Sequence, residues 1–431
     1  MTENGVRNRH HKVKENGVAN HEEKKKEYEE FAVRESPLTR LLDSSLHIRA
    51  IYHIFVVILL VLICDTVIFD LVESGKINIG LSVVAAGFGD ITRGLKLWVY
   101  DFCVTMSFYP LLVVYGWIGQ NFKRNRPLPR KEFKFRFMMK LVSIASACGP
   151  RCLNGNTSLP TFKHFVYFMF APTLLYRDQY PRTKKIRWGV VVFHLLEVAA
   201  IIFYNCFLWE RFIMPYWSDY GKEKTVEAGT VVRGMFACVL PGVISFLCGF
   251  YCVLHAWLNA WSEMLKFGDR LFYEDWWTTS LFSHYYRRWN RVVHSWLRDH
   301  IYLPLAPYMG RPLATFSVFF VSSIAHEVIL ALSFGFFYPV LLVEFGILGV
   351  IMVPLTGTAG RRFPNAFNLL MWLGFFIGNG ILWSLYPMEF FARRNCPPSE
   401  NDSFFIPKSW TCPEVILKPN WTFQNPLRIF F

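Results

Sequence analysis

Thr315-Phe-Ser-Val-Phe-Phe-Val-Ser-Ser-Ile-Ala-His-Glu-Val-Ile-Leu-Ala-Leu-Ser333 decides the fold of this chain. As a helix the run is long enough to cross the hydrocarbon of a bilayer, and His326 and Glu327 are its only ionisable groups. An ionisable group at that depth costs roughly 3 kcal/mol, so it meets a partner, a wet cavity or a reaction. Two readings of His326 stand on this run alone. It is a packed histidine bonded to a neighbouring helix, or it is a reactive group.

The composition generalises the point. Of 431 residues, 53% are hydrophobic and 18% aromatic, while only 18% are charged. Apolar segments of spanning length recur near residues 50–71, 96–118, 188–209, 231–258, 313–334, 337–355 and 366–386. None alternates as a barrel strand would, so the expectation is an all-α polytopic membrane helical bundle with about 7–9 transmembrane helices. Residues 132–149 are apolar but interrupted by Lys134, Arg136 and Lys140, which suits an amphipathic interfacial helix. A shorter aromatic stretch, 163–176, is broken by Pro172.

The net charge of +14 does not point to nucleic acid, because Lys and Arg cluster in loops between apolar runs. The loops at 123–140, 176–187 and 361–362 read as cytosolic and attract anionic lipid or an anionic substrate. Residues 1–45, with the run His21-Glu-Glu-Lys-Lys-Lys-Glu-Tyr-Glu-Glu30, read as a largely disordered cytosolic tail, and no signal peptide opens the chain. Residues 46–390 form the membrane domain. Residues 391–431 read as a lumenal C-terminal tail, where Cys396 and Cys412 would pair in an oxidising compartment and the sequons at Asn401 and Asn420 would be accessible. Cys148 and Cys152 lack a nearby His or acid to complete a ligand set, so no metal is expected.

Two further stretches carry chemistry. Phe272-Tyr-Glu-Asp-Trp-Trp277 sets two acids among four aromatics. It reads either as an interfacial belt or as part of a site. Downstream, Tyr285-Tyr-Arg-Arg-Trp-Asn-Arg-Val-Val-His-Ser-Trp296 places Arg287, Asn290, Arg291 and His294 on one stripe of a continuous helix. That stripe is a solvated face or a receptor for an anionic, purine-bearing ligand.

At these residues the chain resembles the membrane-bound O-acyltransferases, in the branch that holds the sterol O-acyltransferases. The resemblance rests on Phe-Tyr-x-Asp-Trp-Trp at Phe272, Tyr273, Asp275, Trp276 and Trp277, on Trp289-Asn290 with His294, and on the intramembrane His326-Glu327. It extends to His47-Ile-Arg-Ala-Ile-Tyr-His53, Phe170-Ala-Pro-Thr-Leu-Leu-Tyr-Arg-Asp-Gln-Tyr-Pro-Arg182, Leu258-Asn-Ala260 through Phe267-Gly-Asp-Arg270, Gly378-Asn-Gly380, and Cys396-Pro with Ser409-Trp-Thr-Cys412. The chain departs from the pattern at Thr278, where the signature usually continues with Asn, and in a shortened 119–160 region.

The resemblance implies transfer of a long-chain acyl group from acyl-CoA to the 3-hydroxyl of a sterol (cholesterol) in the endoplasmic reticulum membrane. No cofactor is implied beyond acyl-CoA as substrate. His326 matches the catalytic histidine, a general base, and Asn290 its active-site partner. His284, Arg287, His294, Tyr302, Arg311 and Ser322 match acyl-CoA contacts, and His47 lies near a sterol-associated site. A homo-oligomer, dimer or tetramer, is expected on the same ground. The rivals are an acyl-CoA:diacylglycerol acyltransferase, an inactive lipid-binding relative, and a channel or transporter with His326 and Glu327 on its pathway.

Overall fold

The computed structural model describes residues 31–75, scattered positions between 95 and 114, and residues 135–153, 159–399 and 402–416. The expected span at 96–118 is described only in part, and most of the basic loop after 123 and both sequon asparagines, Asn401 and Asn420, lie outside these residues. The helices that organise the rest are α1 (Pro37–Ser44), α2 (Leu46–Ser74), α3 (Phe135–Leu153), α4 (Phe162–Phe170), α5 (Trp188–Trp217), α6 (Ala228–Ala237), α7 (Val239–Met264), α8 (Phe282–Trp289), α9 (Arg291–Leu297), α10 (Leu303–Phe334), α11 (Leu342–Gly357) and α12 (Pro364–Asn395).

The fold is an all-helical membrane bundle. Among the described residues, five helical stretches are long and apolar enough to cross a bilayer: Leu46–Val72, Trp188–Trp217, Val239–Met264, Arg291–Phe334 and Pro364–Asn395. Their outward residues are apolar, as Ile51, Ile54, Val57, Ile58, Leu60 and Val61 on α2 show, because hydrocarbon is the solvent there. Helices α7 and α12 approach closely through glycine. A Cβ at Gly380 would lie 2.5 Å from Val239, so the absent side chain sets the contact.

Several boundaries differ from the sequence reading. The apolar stretch 231–258 is divided at Cys238, which separates α6 from α7. Helix α3 is not simply interfacial. Met139, Lys140, Leu141, Ser143, Ile144 and Cys148 are buried, and Leu141, Ile144 and Cys148 join a core with Phe165, Phe168, Phe272 and Tyr273. Lys140 is only 1% exposed because its ammonium caps α4, donating to the carbonyls of Phe168 (2.7 Å), Met169 (2.9 Å) and Ala171 (2.6 Å). Those are unsatisfied carbonyls at a helix C-terminus, where positive charge is favoured.

Order also begins before residue 46. Residues 31–36 run as a strap along the segment 267–270. The Arg34 amide donates to the Gly268 carbonyl (3.0 Å), and its guanidinium grips both Asp269 oxygens at 2.9 Å. Glu35 pairs with Arg187 (2.9 Å) and Arg270 (3.1 Å). Both arginines also bind Glu263, which is fully buried. At the far end of α12, Cys396 and Cys412 form a disulfide. Next to it, β1 (Thr225–Glu227) pairs in parallel with β2 (Glu414–Ile416).

Candidate active site

His326 lies on α10 between buried Ala325 and Glu327, yet is itself exposed. Its Nδ1 sits 2.6 Å from the Ser322 carbonyl oxygen. A carbonyl only accepts, so in the neutral ring Nδ1 carries the hydrogen and Nε2 presents a lone pair. The ring packs edge-on to Phe345 of α11 (5.7 Å between centroids). Glu327 points elsewhere. It is 1% exposed and accepts from the Tyr386 hydroxyl (2.9 Å) and the Leu342 amide (3.0 Å), which locks α10 to α11 and α12.

From Phe345 a continuous set of rings leads to the signature segment. Tyr286 touches Phe345 (5.2 Å) and Phe319 (4.7 Å), Tyr285 touches Tyr286 (5.1 Å), and Trp276 touches Tyr285 (5.7 Å) and Trp289 (4.6 Å). Such pairs each contribute about 0.5–1.5 kcal/mol beyond their burial. Phe272, Tyr273 and Trp276 are therefore core residues. The acids between them face the other way: Glu274 pairs with Arg288 (3.4 Å) and Arg291 (3.1 Å), and Asp275 with Arg288 (3.2 Å). Thr278 donates to the Asp275 carbonyl (2.8 Å), closing the turn where the family pattern has Asn.

The expected continuous helix through 285–296 is corrected here. The chain breaks at Asn290, whose backbone is extended (φ −141°, ψ 91°). Asn290 is the N-cap of α9, its side-chain oxygen accepting from the Val293 amide at 3.1 Å. The signature segment imposes the break. The Glu274 amide donates to the Arg288 carbonyl and the Arg291 amide to the Phe272 carbonyl, both at 2.8 Å, bracketing Asn290. Arg287 and His294 thus belong to different helices, and Arg291 is buried with Glu274 rather than open on a stripe. With the Asn290 carboxamide oxygen on the cap, its NH2 group is the end available to a substrate.

The remaining expected residues distribute as follows. His284 and exposed Arg287 lie on α8, where Arg361, from the turn before α12, comes close. Burial first, then the guanidiniums of Arg287, Arg288 and Arg361, hold the His284 imidazole below its ordinary value of 6.5. Tyr302 ends a π-helical turn leading into α10, and Arg311 follows the break at Gly310, where φ is +78°. Ser322 is 7% exposed, and its backbone carbonyl holds the His326 ring. His47 is exposed near the start of α2. Sequence reading missed Tyr286 and Phe345, whose ring contacts reach across the fold. It also missed Glu344, whose signal was available as a lone acid in an apolar run.

An exposed imidazole on an apolar helix of the bundle, the Asn290 amide at the cap of α9, and a cationic helix bearing His284 and Arg287 are the groups an acyl transfer within a membrane would draw on. The family model described as the membrane-bound O-acyltransferase family matches residues 45–387, and the chain belongs to that family. It is 34% identical to "Sterol O-acyltransferase 1" of Chlorocebus aethiops over 431 aligned residues, covering 89% of this chain and 77% of the relative. It is 33% identical to "Sterol O-acyltransferase 2" of Homo sapiens (89% and 80%) and 32% identical to "Sterol O-acyltransferase 1" of Mus musculus (89% and 79%).

Proposed function

We propose that this enzyme transfers a long-chain acyl group from acyl-CoA to the 3-hydroxyl of a sterol, with cholesterol as the test acceptor. The observation that carries the reading is the contact of His326 Nδ1 with the Ser322 carbonyl inside an apolar span, which in the neutral ring leaves the lone pair on Nε2. The names of the relatives support the acceptor class.

A sterol hydroxyl is a weak nucleophile, and Nε2 removes its proton as the oxygen attacks the thioester carbonyl. The new C–O bond forms, the carbonyl oxygen takes up negative charge, and the Asn290 NH2 donates to it. One such donor contributes roughly 3 kcal/mol. The C–S bond then breaks, and the departing coenzyme A thiolate takes the proton back from the imidazolium. No acyl-enzyme intermediate is required. His284, Arg287 and Arg361 attract the polyanionic coenzyme, with His294, Tyr302 and Arg311 along the path into α10. Exclusion of water protects the thioester.

In the same reading the protein resides in the endoplasmic reticulum, with the His284 face cytosolic and the Cys396–Cys412 disulfide lumenal. His47 sits at a sterol-associated position, and the chain assembles as a homo-oligomer. The test is an esterification assay in microsomes from cells lacking their own activity, fed labelled acyl-CoA with cholesterol and diacylglycerol in competition. Cholesteryl ester is the expected product. Triacylglycerol alone would reassign the acceptor, and no ester from either would defeat the proposal.

A further inference from the structure

Glu344 is a carboxyl near the start of the apolar helix α11, and the reaction described above does not use it. Its depth follows from its neighbours. The Leu342 amide reaches Glu327 of α10 (3.0 Å). One turn later Gly346 meets Ser323, where an added Cβ would lie 2.7 Å from the Ser323 hydroxyl. Glu344 lies midway between Leu342 and Gly346, just as His326 lies between Ser323 and Glu327. The two residues therefore lie at a similar depth, with Glu344 turned from the Gly346–Ser323 contact toward Gly378 of α12. The next residue, Phe345, packs on the His326 ring (5.7 Å).

The carboxyl is poorly provided for. Its Oε1 is buried and finds no hydrogen-bond partner among the described residues. A buried polar atom left so costs several kcal/mol in hydrocarbon. Across from it, Gly378 of α12 leaves room: a Cβ there would meet only Glu344 Oε2, at 3.8 Å. The segment also lies in a π-helical turn, Leu342–Leu348, a departure that concentrates at functional positions.

We propose that Glu344, with the space beside Gly378, is a hydroxyl-binding site that takes the acceptor alcohol at the depth of His326 and delivers it to the imidazole. An ionised carboxyl accepts from an alcohol and a neutral one donates to it, so either form binds. The inference rests on the acyl-transfer reading and deepens it by naming the acceptor's polar contact.

Glu344→Leu should raise the KM for cholesterol at least about tenfold while the KM for acyl-CoA stays within about twofold, because the lost contact belongs to one substrate. Glu344→Gln keeps hydrogen-bonding capacity and should stay within about threefold of the parent. Gly378→Leu fills the space and should raise the cholesterol KM with Glu344 intact. An unchanged cholesterol KM in Glu344→Leu, or a rise confined to acyl-CoA, overturns the site. A photoreactive sterol reads the site without turnover. It should label the peptide containing Gly378 in the parent protein and not in Glu344→Leu, and equal labelling of both, or none of the parent, also overturns it. Failure of the parent protein to form steryl ester is a separate result, which strikes the proposed reaction and leaves the labelling comparison in force.

Discussion

The Nδ1 of His326 donates to the Ser322 carbonyl oxygen at 2.6 Å, one helical turn back on the same helix. The bond fixes which nitrogen carries the hydrogen in the neutral ring, and so leaves Nε2 as the nitrogen for the proposed base. His326→Ala should lower turnover by roughly 10²–10⁴-fold, the usual worth of a positioned general base. Because the residue is exposed and its only ring contact among the described residues is edge-on to Phe345, membrane insertion and thermal stability should change little. Retained turnover in purified His326→Ala would remove the histidine from the mechanism.

Asn290 does two jobs that substitutions can separate. As N-cap of α9 its oxygen contributes about 1 kcal/mol, and its NH2 group is the proposed oxyanion donor. Asn290→Asp keeps the cap and removes the donor. It should preserve the melting temperature while kcat falls about a hundredfold. Asn290→Ala should lose both. If Asn290→Asp turns over normally, the residue is a cap alone.

The helical class and the position of His326 were legible because apolar run length is a local property. The end of α10 and the start of α12 followed from it to within about two residues, whereas α10 begins and α12 ends more than two turns beyond the apolar run. The stripe at Arg287, Asn290, Arg291 and His294 was misread because its break is imposed from outside. Bonds from Phe272 and Glu274 stop the helix, and nothing in the 3.6-residue period registers them. Lys140 was misjudged for the same reason: its carbonyl partners belong to α4, distant in sequence. The pairing of Cys396 with Cys412 was readable from the scarcity of other thiols in that tail.

With coenzyme A bound at His284 as proposed, its binding should be pH-dependent. Its imidazole is held below 6.5 by burial and by Arg287, Arg288 and Arg361, so it is largely neutral in the free enzyme near neutrality. A bound polyphosphate favours the imidazolium, so binding takes up a proton. Affinity for coenzyme A should therefore strengthen as pH falls from about 8 to about 6, and His284→Gln should flatten that slope. Stability runs the opposite way. A depressed histidine stabilises the fold fully above its unfolded value near 6.5, and this contribution declines as pH drops through the lower folded value. Calorimetric titration of coenzyme A at several pH values checks the first point, and equal slopes in parent and variant would refute it.

Glu263 is the hinge of the contacts that hold the N-terminal strap. Its carboxylate is fully buried against Arg270, itself 3% exposed, while Arg187 is 42% exposed. These exposures rank the substitutions. Removing one member of a buried pair strands the other and typically costs about 3–5 kcal/mol, whereas an exposed partner contributes about 0–1 kcal/mol. Glu263→Gln should thus depress the melting temperature strongly and Arg187→Ala only slightly. Replacing Glu263 and Arg270 together by Leu and Met should recover much of the loss, since neither charge is then stranded. Arg34→Ala should loosen residues 31–36 without reaching that level, because Asp269 keeps its bond to the Leu271 amide (3.1 Å). Thermal melts in detergent, followed by size-exclusion fluorescence, give the order directly. An Arg187→Ala protein as unstable as Glu263→Gln would show that the pair's exposure does not govern its worth.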